Sequence, residues 1–266
     1  MNNLLKSILR KINNVISLSE LNKIYSSKYN VDIKKIEDNK FTNLNEVYDF
    51  YNFQFDYTLP ELFKIHRIYF TSNRRGFGEK AFHAMWFHIF KQHAPKKVLE
   101  IGVYRGQTLS LFNLLQKYFS IEGEVYGITP LSTSGDEYSN YKKLDYEKDI
   151  TENFRMFNLP NPNLKKGYSN DKDMIDFINS KKWDLIYVDG SHDYEIVKSD
   201  INVSISNLKK GGILVLDDAS LYLNLHKIDG MFKGHPGPSL VADELVLSDL
   251  VTNICNVGHN RIFIKN

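Results

Sequence analysis

From residue 78 onward, short apolar segments alternate with segments whose apolar residues recur every three or four positions. The apolar segments are residues 97–101, 124–128, 183–188 and 212–216. The segments with helical spacing are residues 79–93, 108–119, 171–179 and 197–208, and residues 253–264 have the pattern of a terminal strand pair. Strands that are apolar throughout are typical of a parallel sheet covered by helices on both faces. The alternation therefore predicts a doubly wound α/β fold with a mostly parallel sheet.

The first 75 residues lack this alternation, and their clearest pattern is that of an amphipathic helix. Apolar residues at helical spacing are Leu4, Leu5, Ile8, Leu9, Ile12, Val15 and Ile16, and the opposite face is basic. Packing against the body of the protein or a second subunit is the favoured interpretation, and a membrane-surface helix is the alternative. We therefore divide the chain into a helical extension, residues 1–75, that covers substrate or joins subunits of a homo-oligomer, and an α/β domain, residues 76–266.

Composition narrows the classes of partner. The 34 basic residues nearly balance the 32 acidic residues, so no overall positive field indicates a nucleic-acid partner. Cys255 is the single cysteine, so an internal disulfide is excluded. The sequence contains no run of 18 apolar residues, so we expect no stable membrane insertion. It also shows no secretory signal, and we therefore expect a cytoplasmic protein.

The segment after the first predicted strand has the composition of a ligand-binding loop. Glu100 lies at the end of the strand, and Gly102 and Gly106 permit a tight turn and close approach of a ligand. Three residues separate these glycines, unlike the Gly-x-Gly-x-x-Gly pattern that binds dinucleotides, so a nicotinamide oxidoreductase is disfavoured. An acid beside the loop suits an amine-bearing or cationic ligand better than a phosphate. A purely structural turn is the alternative.

Three carboxylates follow two other predicted strands. Asp189 comes after residues 183–188, and Asp217 and Asp218 come after residues 212–216. Each acid could cap a helix, but a helix cap needs only one acid, so capping does not account for all three. Clustered like charges repel unless a cation neutralises them, so the pattern favours a divalent metal held by oxygen ligands, such as Mg²⁺, over a metal-free site.

The segments VLEIGVYRGQT, WDLIYVDGSHDYEIVKSDI and LKKGGILVLDD together resemble the class I S-adenosylmethionine-dependent methyltransferases. The similarity is to the metal-dependent small-molecule O-methyltransferases, including macrocin O-methyltransferase-like enzymes that act on sugars, and it covers about residues 78–266. It implies a Rossmann-like fold and S-adenosylmethionine as cofactor.

The resemblance also implies roles for particular residues. The implied cofactor-binding residues are Glu100, Gly102, Tyr104, Gly106, Thr108, Ser169 and Asp189. The implied metal ligands are Asp189, Asp217 and Asp218, and the implied general base is His192, three residues beyond Asp189. Ser169 and Asp171 could contact the adenine. The alternative is that Ser169 or Asn170 caps the following helix.

This sequence departs from the family pattern at the end of the second strand. Many relatives place an acid there to hold the cofactor ribose, whereas this chain has Thr129 and Pro130. Asp136 or Glu137 could reach back from the following loop.

Two further segments bear on the methyl acceptor. Residues 219–240 interrupt the strand and helix alternation and are interpreted as an acceptor-binding loop or lid, with a surface loop of no function as the alternative. Arg74 and Arg75 could bind a phosphate, although solvated surface arginines are commoner. With the resemblance, these features favour a small polar acceptor, a sugar or nucleotide-linked sugar.

Three hypotheses follow. The first is a metal-dependent O-methyltransferase, in which a bound cation activates the acceptor hydroxyl and His192 takes its proton. The second is a metal-free N-methyltransferase of the same fold, which a chelator would not inhibit. The third is a catalytically silent Rossmann-like binding protein, which would not bind S-adenosylmethionine.

Overall fold

A computed structural model of the chain describes residues 44–133, 144–225 and 232–266. In this part of the chain, seven strands form one sheet in the order β3-β2-β1-β4-β5-β7-β6. The strands are β1 (Lys97–Ile101), β2 (Glu124–Thr129), β3 (Asn163–Lys166), β4 (Trp183–Val188), β5 (Leu208–Leu216), β6 (Val251–Val257) and β7 (Asn260–Lys265). Strands β1 to β5 pair in parallel, and β7 joins β5 and β6 by antiparallel pairing. The predicted doubly wound, mostly parallel fold is confirmed.

Helices cover both faces of the sheet. They are α1 (Leu44–Phe53), α2 (Glu61–Thr71), α3 (Lys80–His93), α4 (Gln107–Tyr118), α5 (Tyr146–Met156), α6 (Lys172–Asn179), α7 (Tyr194–Asn207) and α8 (Pro236–Val246). Helices α1 to α5 share one buried cluster with Val98 and Leu185, and α6 to α8 share a second cluster with Leu99 and Ile186. Successive strand residues thus enter opposite cores, which is why these strands are apolar throughout.

The described part of the N-terminal extension packs on the first of these clusters. Phe50 and Tyr51 of α1, and Phe63 and Phe70 of α2, are almost fully buried among residues of α3 and α4. The amphipathic pattern of residues 4–16 lies outside the described residues. Among the described residues, no helix has the length and apolar character needed to cross a membrane.

Three elements were not predicted. Helix α5 lies in a mostly polar segment in which Tyr146, Ile150 and Phe154 recur at helical spacing and are buried. Strand β3, at the edge of the sheet, has the sequence Asn-Leu-Lys-Lys and carries no apolar run. The interpretation of residues 219–240 as a continuous loop is wrong for its last five residues, because α8 begins at Pro236. Proline is favourable in the first turn of a helix, where its missing N–H is not needed.

Candidate functional site

The carboxyl ends of β1, β4 and β5 bring the predicted site residues to one edge of the sheet. The backbone N–H of Asp189 donates to the carbonyl of Ile101 at 2.8 Å, and that of Asp217 donates to the carbonyl of Val188 at 3.0 Å. These bonds continue the parallel ladders one residue past the strands. The two acids therefore start from adjacent positions, and their side chains hydrogen-bond to each other.

Burial and mutual repulsion dominate the electrostatics of these acids. Burial raises the pKa of Asp189 well above its usual value, and the charges of Asp217 and Asp218 raise it further. The pKa of Asp217 is also raised, chiefly by burial, although nearby His259 acts in the opposite direction. Helix capping does not explain the acids, because Asp193 caps α7 by accepting the N–H groups of Glu195 and Ile196.

The loop after β1 requires its glycines for space and for conformation. Gly102 has φ of 102°, and a Cβ atom there would lie 1.9 Å from the carbonyl oxygen of Asp189. Gly106 has φ of 80° where α4 begins, and its Cβ would lie 2.9 Å from Ile150. L-residues with side chains rarely adopt such angles. The loop can pass this close to Asp189 only with glycine at residue 102.

Glu100 is a buried carboxylic acid at the root of this loop. Its exposed fraction is 3%, and its Oε2 has no hydrogen-bond partner among the described residues. Burial, followed by the charge of Asp217, raises its pKa well above the usual value. A buried acceptor with no partner is costly unless a ligand supplies a donor, so this position fits an amine-bearing cofactor.

Tyr104 and Thr108 complete the predicted loop. The Tyr104 ring stacks on Phe77, with 5.4 Å between centroids, and lies 6.0 Å from the ring of Tyr146. Thr108 lies in the first turn of α4 and is partly buried. Phe77, which is 53% exposed, is a neighbour of the loop that sequence reasoning missed. A single aromatic residue before a helix carries no signal of this contact.

Ser169 lies in the loop after β3, at the same edge of the sheet. Its hydroxyl donates to Asp200 of α7 at 2.9 Å. The capping alternative for Ser169 and Asn170 is wrong, because the residue at the start of α6 is Asp171. The Asp171 carboxylate instead accepts the N–H of Tyr168 at 2.8 Å.

The second strand ends as the sequence indicated, without an acid. Thr129 is buried, and its hydroxyl accepts the N–H of Leu131 at 3.1 Å. Asp136 and Glu137 lie outside the described residues, so a ribose contact from either one stays a prediction.

Arg75, one of the two arginines considered for a phosphate contact, is held by its neighbours. Its guanidinium lies 4.4 Å from the centre of the Tyr69 ring and donates to the carbonyl of Ser72 at 3.0 Å.

Asp218 occupies a constrained turn after β5. Its φ is 54°, and its carbonyl accepts the N–H of His235 at 2.8 Å. Its Oδ2 lies 3.0 Å from Nε2 of His192, the predicted base, and 3.9 Å from Nε2 of His235. The two imidazole rings stack with 3.8 Å between centroids. His235 was noted in the sequence only as part of the lid segment.

His259 is the site residue that sequence reasoning did not find. It lies in the turn between β6 and β7, and its Nε2 is 3.4 Å from Oδ1 of Asp217 and 3.8 Å from Oδ1 of Asp218. A histidine in a terminal hairpin has no spacing that relates it to Asp217. Only the antiparallel pairing of β5 with β7 brings the two together.

The donor atoms at this edge fit a divalent cation. Asp217, Asp218 and His259 offer ligand atoms that all lie within 4.8 Å of one another, and His192, Asp218 and His235 form a second such group. Oδ1 of Asp217 is buried and makes no hydrogen bond to the described residues. A cation would offset the repulsion that raises the pKa values of these acids.

Sequence comparison matches the middle of the chain to a known protein family. Residues 99–219 match the family described as a methyltransferase domain. The uncharacterized protein R132 of Acanthamoeba polyphaga mimivirus is 30% identical over 153 residues, which are 54% of this chain and 62% of that protein. The chain thus matches less than two thirds of this viral relative.

Two solved structures share the fold at low sequence identity. A Staphylococcus aureus protein provisionally assigned as a caffeoyl-CoA O-methyltransferase aligns with TM-score 0.57 and 15% identity, over 77% of this chain and 92% of that chain. An O-methyltransferase from Bacillus cereus, in complex with S-adenosylhomocysteine, aligns with TM-score 0.56 and 12% identity, over 84% of this chain and all of that chain. The predicted Rossmann-like fold of this chain is therefore confirmed.

Proposed function

We propose that this protein transfers a methyl group from S-adenosylmethionine to a hydroxyl of a small polar acceptor, with help from a divalent metal. The premise is the match of residues 99–219 to a methyltransferase domain. The observation that carries the proposal is the meeting of Asp189, Asp217 and Asp218 beside the loop that begins at Glu100. This edge of the sheet supplies an acid that can pair with an amine, a closely packed glycine loop and a cluster of oxygen atoms that can ligate a metal.

The cofactor is proposed to lie along the loop after β1. The buried Glu100 would accept hydrogen bonds from the cofactor amino group, and the absence of a side chain at Gly102 and Gly106 lets the loop pack closely against Asp189 and Ile150. Tyr104 and Thr108 would line the same side, while Ser169 lies in the loop that follows the edge strand β3.

Methyl transfer from a sulfonium to a hydroxyl is an in-line displacement, so the chain must align two reactants and remove a proton. A divalent cation at Asp189, Asp217 and Asp218 would lower the pKa of the acceptor hydroxyl when bound. His192, whose side chain is 40% exposed, would accept that proton. Asp218, 3.0 Å away, orients the imidazole and stabilises the imidazolium that proton transfer creates.

The acceptor is proposed to be a sugar or a nucleotide-linked sugar. The resemblance to sugar-modifying methyltransferases supports this class, and so does the polar wall that His192 and His235 form beside the acids. Tyr222 in the segment after β5 is 54% exposed, and an exposed aromatic ring is a suitable surface for a sugar. Because Arg75 is engaged with Tyr69, an arginine contact to a phosphate would come from Arg74.

Calorimetric titration of S-adenosylhomocysteine into the protein tests the cofactor site. We expect Glu100→Gln to weaken binding by about 10-fold to 100-fold, as the loss of a hydrogen bond to a charged group predicts. The matched control is Glu122→Gln, since Glu122 is exposed just before β2, at the opposite edge of the sheet. Absence of binding to the unmodified protein would reject the methyltransferase proposal and favour a silent binding protein.

Transfer of labelled methyl groups to a panel of sugars and sugar nucleotides tests the reaction. We expect a chelator to abolish transfer and His192→Ala to lower kcat by about 10²–10⁴-fold, the usual contribution of a general base. The exposed Asp176→Asn is the control for the acids. Full activity in the presence of chelator, with amines as the preferred acceptors, would favour the metal-free N-methyltransferase instead.

A further inference from the structure

His259 differs from the other histidines of the site in how firmly it is held. The pairing of Leu216 with Arg261 places the hairpin between β6 and β7 beside the end of β5, and the N–H of Ala219 donates to the carbonyl of His259 at 2.8 Å. The residue is 6% exposed. Phe82 and Phe232 approach the imidazole edge to face, with centroids 4.6 Å and 5.4 Å away.

The two ring nitrogens of His259 face different partners. Nδ1 lies 3.3 Å from the carbonyl oxygen of Phe232, which can only accept a hydrogen bond. Nδ1 therefore carries a proton, and in the neutral ring Nε2 presents its lone pair toward Asp217 and Asp218. A histidine that ligates a metal usually donates its other N–H to a carboxylate or a backbone carbonyl in this way.

The two oxygens of Asp218 divide the site. Oδ1 faces His259 at 3.8 Å, and Oδ2 faces the proposed base His192 at 3.0 Å. One carboxylate thus separates a buried imidazole from an exposed one. Lone pairs of His259, Asp217 and Asp218 converge on the buried side, where an unpartnered oxygen, Oδ1 of Asp217, also lies.

We propose that His259 is a metal ligand and that, with Asp217 and Asp218, it forms a mixed imidazole and carboxylate site that is tuned toward transition-metal dications and away from Mg²⁺. Imidazole is a good ligand for Zn²⁺ and Fe²⁺, whereas Mg²⁺ prefers oxygen ligands throughout. The inference rests on the metal dependence in the proposed function and replaces the Mg²⁺ that three carboxylates alone had suggested.

Titration calorimetry on untagged, metal-free protein tests the selectivity, with Zn²⁺ and Mg²⁺ as the probes. Most sites with nitrogen and oxygen ligands bind Zn²⁺ more tightly than Mg²⁺, so the diagnostic quantity is the change in the ratio of their affinities. We expect His259→Gln, which puts an amide in place of the imidazole, to lower that ratio by at least about 10-fold, since loss of groups that merely support a ligand already costs about 10–100-fold.

Two histidine variants serve as controls. His192→Ala removes an imidazole from the other oxygen of the same Asp218, and His93→Ala removes one at the end of α3, away from the site. Both should leave the Zn²⁺ to Mg²⁺ ratio within about twofold of the unmodified protein. An equal fall in His192→Ala and His259→Gln would overturn the assignment of His259 as the selective ligand.

Pulsed electron paramagnetic resonance of bound Mn²⁺ gives a test that needs no variant to fold. We expect nitrogen couplings from a directly bound imidazole, which change when the protein is labelled with ¹⁵N-histidine. Manganese bound without such couplings would show a site of oxygen ligands alone, and no binding of any probe would show that His259, Asp217 and Asp218 hold no metal. Either result overturns this inference, while S-adenosylhomocysteine binding in the same samples separates it from failure of the proposed function.

Discussion

The guanidinium of Arg105 donates two hydrogen bonds to the carboxylate of Asp149, one from Nε and one from Nη2, each 2.7 Å long. Arg105 lies in the loop between Gly102 and Gly106, and Asp149 lies on α5. The amide of Asn153 donates to the carbonyl of Arg105 at 2.9 Å. Helix α5, which the sequence did not predict, thus braces the proposed cofactor loop through a nearly buried ion pair.

Breaking this pair should destabilise the protein and loosen the loop. We expect Asp149→Ala to lower the free energy of unfolding by about 3–5 kcal/mol, because it leaves a buried guanidinium without its partner. Urea denaturation measures the loss, and calorimetry with S-adenosylhomocysteine should show weaker binding. The exposed Glu147→Ala on the same helix is the control, and equal effects of the two changes would contradict the bracing role.

Gly102 and Gly211 allow the energetic cost of crowding to be distinguished from the cost of backbone strain. Gly102 and Gly211 both have positive φ, but a Cβ at Gly211 would meet no atom within 4 Å. We expect Gly211→Ala to cost about 1–2 kcal/mol from conformation alone. Gly102→Ala should cost about 1–3 kcal/mol more through overpacking against Asp189, and it should abolish cofactor binding. Equal unfolding energies of the two variants would show that the loop moves freely away from Asp189.

The buried Asp200 should make stability fall as pH rises. Burial raises its pKa from 3.8 to about 6, and the hydrogen bond from Ser169 only partly offsets this. Between these values the native protein keeps a proton that the unfolded chain has lost. The contribution of Asp200 to stability is therefore fully present below pH 3.8 and is lost as pH rises through 6. Asp200→Asn should therefore gain about 2–3 kcal/mol relative to the unmodified protein between pH 4 and pH 7.

Denaturation of Asp200→Asn and of the unmodified protein at several pH values measures the difference in their free energies of unfolding. Groups that both proteins contain titrate alike in the two, so their contributions cancel in this difference. The exposed Asp249→Asn serves as the control. A stability difference between Asp200→Asn and the unmodified protein that does not change with pH would show that the carboxyl of Asp200 is solvated.

Removal of metal should expose the repulsion between the acids. In the presence of chelator we expect Asp189→Asn to raise the melting temperature, since it removes a carboxylate whose pKa is raised by desolvation and by the charges of Asp217 and Asp218. A gain of about 1 kcal/mol corresponds to about 2–4 °C in a domain of 150–250 residues. With metal added, the order should reverse, because the variant has a neutral amide in place of a charged ligand. A variant that melts below the unmodified protein in chelator would contradict this interpretation, as would metal that has no effect on the difference.

Much of the site was predictable because strand ends in a parallel sheet meet at one edge. Apolar periodicity located β1, β4 and β5, and the residues that follow them are Gly102, Asp189 and Asp217. Hydrogen bonds across adjacent strand ends then hold these residues together, as the ladder geometry requires. Local sequence sufficed here because a residue that directly follows a parallel strand lies at the carboxyl edge of the sheet.

Two of the missed elements lie in segments whose local pattern is weak or points to another structure. Strand β3 is an exposed edge strand, and α8 begins in a segment rich in proline and glycine that was interpreted as a loop. Both form because of what they pack against: β3 pairs with β2, and Val241 and Ala242 of α8 enter the second core. Tertiary contacts outweigh local propensity in such segments.

The sequence by itself determined the α/β architecture, the glycine loop and the three acids, because each depends on a residue pattern along one short segment. Only the tertiary structure decided which groups complete them. Asp149 reaches Arg105, and His259 reaches Asp217, across 44 and 42 residues of chain. No pattern along the chain encodes these pairs, because they depend on the antiparallel return of β7 and on the packing of α5 against α4.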